Sequence, residues 1–178
     1  MLSGKMKVIT EALRGQLLNF RVLREKDIFL QQYTTIKSRY KFLVLCGESG
    51  TGKTVWVKWM LANPDLVFEA NCACCPEPDL RNFSHFQHKV ILFDEASPEL
   101  VITQKKLFQS PPCFVKLGMS TTNCHSYDVF VSGTMMVICS NTWQEDLESM
   151  KKPGDRAWLV ENSIVVNVGA DKLWLPSL

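Results

Sequence analysis

No stretch of this sequence approaches the roughly 20 consecutive apolar residues that cross a bilayer, and no apolar run follows its first lysines. Neither a membrane-spanning helix nor a secretory leader is expected, and the chain reads as soluble and intracellular. Internal repeats and low-complexity tracts are also lacking, which excludes solenoids and linker-dominated chains. Histidine is scarce: His85, His88 and His125 are the three. Arginine thins out along the chain, with only Arg156 after Arg81. The seven cysteines are odd in number, and Cys46 and Cys139 fall inside apolar runs, so a disulfide framework is not indicated. Cys72, Cys74 and Cys75 followed by His85 and His88 make a poor zinc set, because C-x-C-C and H-x-x-H depart from the usual ligand spacings.

What remains is a chain of 178 residues, 46% hydrophobic, long enough to bury the core of one ordinary domain. Its net charge of +2 hides a division. Residues 1 to 41 hold nine Lys or Arg against three acids, giving +6 and leaving −4 for the rest. A basic segment of this kind either meets a polyanion or forms a solvated helix face.

From Val8 to about Tyr33, the apolar positions Ile9, Leu13, Leu17 and Phe20 recur at helical spacing, so one or two helices are expected. Residues 1–40 are accordingly set apart as a basic helical segment, for assembly or linkage, ahead of a domain over 41–178. Lys41 to Cys46 is a short apolar run ended by glycine, as a buried strand would be, and Lys53 to Ala62 reads as the helix that follows. Lys89 to Glu95 and Thr134 to Asn141 are two further buried strands, and Ser163 to Val168 is a last β-rich run. Asn71 to Pro78 reads as a loop, Pro111 to Ser132 as a hairpin or extended loop, and Lys151 to Gly154 as a turn. Apolar strands joined by long crossovers predict an α/β fold with a parallel sheet flanked by helices.

Gly47, Glu48, Ser49, Gly50, Thr51, Gly52, Lys53 and Thr54 spell GESGTGKT, which fits G-x-x-x-x-G-K-[ST] between a predicted strand and a predicted helix. Such a P-loop turns successive backbone N–H groups toward a polyanion at a helix N-terminus, where a Cβ at Gly47 or Gly52 would obstruct the turn or the approach. Lys53 would place a mobile charge on the β and γ phosphates of ATP, and the Thr54 hydroxyl would ligate Mg²⁺. The strand Val90 to Phe93 carries Asp94 and Glu95 to the C-terminal edge of the sheet, where open α/β folds bind ligands. Asp94 then assists the metal, and Glu95 polarises the attacking water.

Taken together, GESGTGKT, VILFDEA and MMVICSN resemble the Walker A, Walker B and motif C series of superfamily 3 helicases. The set resembles in particular the helicase domain of replication-initiator (Rep) proteins of small circular single-stranded DNA viruses and related plasmids. The resemblance covers about residues 40 to 168. It implies an AAA+-like fold, an ATP-driven homo-oligomeric ring, a hexamer, and single-stranded DNA as partner in rolling-circle-type replication. The host nucleus is implied for a virus of eukaryotes, and the cytoplasm otherwise. It further implies that Asn141 is a polar sensor placing water between the γ-phosphate and Glu95, although an asparagine there also suits a cap for residues 142–148. Arg156, in GDRAWL, matches the arginine finger supplied to a neighbouring subunit, with a surface ion pair as the plain alternative.

Between Walker B and motif C, the family carries a hairpin that tracks DNA through a central pore. Here that interval holds Lys105, Lys106, Lys116, His125 and Tyr127, cations and aromatics that suit phosphates and bases, with FVKLG around Lys116 the nearest echo of the family pattern. The N-terminal nicking domain usual in such initiators, with its His-hydrophobe-His pair and nucleophilic tyrosine, has no counterpart in this sequence. That fits a helicase part of a longer protein, a shortened form or a degenerate relative. Two other classes compete with the motor. A small-molecule P-loop kinase would need an arginine-rich lid, which the shortage of arginine after Arg81 disfavours, and a nucleotide-binding protein without turnover is disfavoured by the intact Lys53, Thr54, Asp94 and Glu95. If Arg156 is a finger, Arg156→Ala abolishes ATP turnover while leaving ATP binding intact, as measured by steady-state hydrolysis beside equilibrium titration; unchanged turnover would overturn the assignment.

Overall fold

The computed structural model describes residues 19–73, 77–118 and 125–175. The expected helical positions Ile9, Leu13 and Leu17, as well as Cys74 and Cys75, lie outside them. Five parallel strands form the main sheet: β1 (Phe42–Gly47), β2 (Val67–Asn71), β3 (Val90–Asp94), β6 (Met135–Ser140) and β7 (Ser163–Gly169), in the order β2-β3-β6-β1-β7. A two-stranded antiparallel hairpin, β4 (Phe114–Leu117) with β5 (Tyr127–Phe130), occupies the expected Pro111 to Ser132 interval.

Side chains alternate across a strand, and β1 shows what that does. Phe42, Val44 and Cys46 enter one core with Ile91, Phe93, Met136 and Ile138, while Leu43 and Leu45 enter another with Val90, Leu92, Val137 and Cys139. Both faces are buried, so the strands read as continuous apolar runs and not as alternating ones. The first face is covered by α3 (Pro98–Thr103), α4 (Lys105–Phe108), α5 (Trp143–Ser149), α6 (Pro153–Asn162) and the hairpin; the second by α2 (Lys53–Met60) and α1 (Arg24–Gln31).

Three differences from expectation have plain causes. Pro153 does not close a turn but occupies the first helical position of α6, where its missing N–H costs nothing. Phe20 is in no helix; it forms an isolated antiparallel bridge with Trp174, and with Leu23 and Phe29 it packs into the second core. The described part of the N-terminal segment therefore shares the core of the sheet. Strand β2 gave no signal because it is an edge strand with only Ala70 fully buried.

The strand ends are level. Leu45 pairs with Cys139 and Cys139 with Asp94, so Gly47, Asn141 and Glu95 all emerge at the C-terminal edge of three adjacent strands. Behind them, Trp56 of α2 is fully buried and donates from Nε1 to the Arg21 carbonyl at 2.9 Å. Truncating it leaves a cavity, and Trp56→Ala should cost about 3–5 kcal/mol in chemical denaturation. The adjacent Val55, 40% exposed, should change stability by no more than about 0.5 kcal/mol when replaced by Ala.

Candidate functional site

The segment from Gly47 to Thr54 bridges β1 and α2. A Cβ at Gly47 would lie 2.5 Å from Val168 Cγ2 and 2.6 Å from the Gly169 carbonyl. Gly52, the N-cap of α2, has φ of 88°, and a Cβ there would meet the Trp174 ring at 2.9 Å. Glycine is needed at these two positions, as the sequence pattern expected, but the obstructing groups come from the end of β7 and the chain after it. Glu48, Ser49 and Gly50 are exposed at the crest, whereas Thr51 is buried and its hydroxyl donates to the Glu48 carbonyl at 2.9 Å.

Lys53 is 7% exposed. Its Nζ donates to the carbonyls of Gly47 at 2.8 Å and Glu48 at 2.9 Å, to Asn141 Oδ1 at 2.8 Å and to Thr51 Oγ1 at 3.5 Å. Every one of these acceptors is uncharged. Burial of an ammonium without an anion is costly, and in this nest it is offset only by hydrogen bonds to neutral oxygens.

Asn141 continues the line. Its Nδ2 donates to Glu95 Oε1 at 2.6 Å and its backbone N to Glu95 Oε2 at 3.2 Å, so both carboxylate oxygens are held. Glu95 has φ of 57°, an uncommon conformation for a residue with a side chain, while its N–H still donates to the Cys139 carbonyl at 2.7 Å. The left-handed turn ends β3 there and accompanies the carboxylate's approach to Asn141. The cap alternative for Asn141 is not what is seen, since the N-cap of α5 is Thr142. Beside this line, the Thr54 hydroxyl donates to Asp94 Oδ1 at 3.3 Å. Burial pushes the Cys139 thiol beneath them far up, with Asp94 adding to the shift, so this cysteine stays a neutral packing group. Glu95 also opens onto a cleft of about 400 Å³ lined by Cys72, Ser97, Glu99 and Thr103.

The other expected residues lie apart from this line. Arg156 is exposed on α6 and lines a separate cavity of about 700 Å³ with Met150, Lys151, Ala157 and Val160; no ion pair engages it among the described residues. Lys105 pairs with Asp155 at 2.9 Å and lies over the Trp158 ring, and Lys106 donates to the Phe114 carbonyl at 3.2 Å. The Tyr127 hydroxyl accepts from the Leu80 N–H at 2.8 Å, its ring lies against the Arg81 guanidinium, and burial raises its phenol pKa. These three side chains already have protein partners. Lys116 is exposed in the body of β4, and His125 is exposed where the chain enters β5. His88 Nδ1 accepts from Ser84 N, and the described residues hold no group of three metal-ligating side chains.

No family model matches the chain, and no curated protein matches it. Among solved structures the chain is similar to the apo A form of the NrS-1 C-terminal region, with 12% identity and a TM-score of 0.37, over 78% of this chain and 37% of that one. The chain thus spans little more than a third of that structure, and a likeness of this size says nothing about chemistry. Among the described residues no helix is long and apolar enough to cross a membrane.

Two glycines give a direct contrast. Gly52→Ala forces a side chain into a left-handed position against Trp174 and should destabilise the protein by about 1–3 kcal/mol. Gly154, in the first turn of α6 with nothing within 4 Å of its would-be Cβ, should gain about 0.4–1 kcal/mol when replaced by Ala. Thermal melts of the two variants should therefore shift in opposite directions.

Proposed function

We propose that this chain is a P-loop ATPase of AAA+-like build that hydrolyses Mg·ATP as a superfamily 3 type motor on single-stranded DNA, in rolling-circle-type replication of a viral or plasmid genome. The observation that carries the ATPase part is the hydrogen-bonded line Lys53–Asn141–Glu95 across three adjacent strand ends, with Thr54 and Asp94 beside it. The motor and its DNA rest on the resemblance of the three motif-bearing strands, together with a hairpin that carries the exposed Lys116.

A triphosphate fits the nest because Lys53 has only neutral oxygens to hold and can trade the Gly47 and Glu48 carbonyls for phosphate oxygens. A magnesium ion fits beside it, since Thr54 Oγ1 and Asp94 Oδ1 are two hard oxygen donors already within 3.3 Å of each other. When bound, it neutralises developing charge on the phosphates. The remaining steps belong to the chain's own groups. Asn141 accepts from Lys53 and donates to Glu95, which fixes the carboxylate relative to the lysine. Glu95 takes the proton of a water whose oxygen bonds to the γ-phosphorus, while the bond from that phosphorus to the β–γ bridging oxygen breaks and ADP keeps the electron pair. Arg156, exposed on α6, would act on a neighbouring subunit's nucleotide.

Hydrolysis measured with and without single-stranded DNA, beside oligomer size by sedimentation, tests this. DNA-stimulated turnover by an oligomer is expected. Glu95→Gln should lower kcat by about 10²–10⁴ and leave ATP affinity nearly unchanged, whereas Lys53→Ala should lose affinity as well. A monomer without DNA stimulation would defeat the motor, and nucleotide binding without turnover would reduce the protein to a binder.

A further inference from the structure

The end of β7 and the chain after it run against the glycine loop and hold it at four points. The Glu48 N–H donates to the Gly169 carbonyl at 2.8 Å, Lys172 Nζ donates to the Gly50 carbonyl at 2.8 Å, the Leu173 N–H donates to the Thr51 carbonyl at 2.9 Å, and the Trp174 ring abuts Gly52. Two consecutive peptide groups, Gly50–Thr51 and Thr51–Gly52, thus have their carbonyls fixed toward this strap. In a planar trans peptide the N–H points opposite to its C=O. Holding both carbonyls therefore aims the Thr51 and Gly52 N–H groups away from the strap. Two successive N–H groups aimed one way make an anion-binding concavity.

The geometry points to Lys172 as a positioning residue for the phosphates, an inference that rests on the nucleotide site proposed above. Lys172 acts through the Gly50 carbonyl and not by touching the ligand. Its side chain makes the one hydrogen bond of the clamp that a substitution can remove, since the Gly169 and Leu173 contacts are made by backbone and the Trp174 ring only packs against Gly52. The strap itself is well anchored without it: the Arg21 N–H donates to the Leu173 carbonyl at 2.9 Å, the Leu175 N–H donates to the Asn19 carbonyl at 2.7 Å, and Arg21 pairs with Asp171 at 2.9 Å. Free of Lys172, the Gly50–Thr51 peptide can flip, because Gly50, at φ of 74°, has no Cβ to oppose rotation.

The role predicts a donor requirement and not a charge requirement. Lys172→Ala should raise the KM for ATP by about three- to tenfold, the effect of one lost hydrogen bond, with kcat within twofold. Lys172→Arg should restore KM, and Lys172→Gln, a neutral donor, should restore most of it. Tripolyphosphate competing with ATP should lose affinity by the same factor in Lys172→Ala, because the effect acts on phosphates and not on the nucleoside. Lys172 is exposed, so the melting temperature should barely move. Equal ATP and tripolyphosphate affinities in wild type and Lys172→Ala would overturn the inference and leave the nucleotide site standing. A Gln variant as weak as Ala would make Lys172 a direct charge on the ligand and overturn positioning. If the wild-type protein binds neither ATP nor tripolyphosphate, the nucleotide site fails and this inference with it.

Discussion

A buried ammonium is the constraint to which the centre of this molecule answers. Lys53 Nζ lies below the surface and is satisfied by two carbonyls of its own loop, a hydroxyl and one amide oxygen, none of them charged. Neutral oxygens solvate the charge without neutralising it, and an uncompensated charge in a low-dielectric pocket is expensive. Glu95 is linked to Lys53 only through Asn141, which stands between them. An amide suits that place because it accepts from the lysine with its oxygen while donating to the carboxylate with its nitrogen. No direct Lys53–Glu95 ion pair is found among the described residues. The interposed asparagine maintains the separation.

That arrangement depends on the sheet being in register. Asn141 can reach both partners only because β6 lies between β1 and β3 and ends level with them, with Leu45, Cys139 and Asp94 in one row. Register in turn is fixed by burial on both faces, since sliding any of these strands by one residue would exchange the residues of the two cores. The same packing makes Cys139 a fully buried neutral thiol under the site, so the polar line sits directly on apolar residues.

Those central strands were legible because each is a continuous apolar run ended by its chemistry: glycine after β1, Asp-Glu after β3, Ser-Asn after β6. The pattern that names the strand also names the residues at its tip. Legibility failed where the deciding partner is far away in sequence. Pro153 looks like a turn residue until a helix is known to follow it. Tyr127 and Lys105 look like free ligands for DNA until Leu80 and Asp155 are found against them. Edge strand β2 buries too little to show a period. The strap after β7 carries one lysine and one tryptophan in no recognisable pattern, and only the fold reveals that Gly50 lies against the one and Gly52 against the other.

The glycine loop is thereby a product of three stretches of chain and not of its own sequence alone. The strap that fixes its carbonyls is itself fixed by residues 19–21, through Leu173, Leu175 and the bridge between Phe20 and Trp174. Trp56, in the helix that the loop opens, reaches back to the Arg21 carbonyl and closes the circuit. Loop, helix, strap and leading segment therefore share one set of hydrogen bonds above the second core. A boundary drawn at residue 40 cuts through that set, because Phe20, Leu23 and Phe29 belong to the same buried cluster as Leu43, Trp56 and Val168. Arg21 and the Thr51 carbonyl are thus joined through two hydrogen bonds that meet at Leu173.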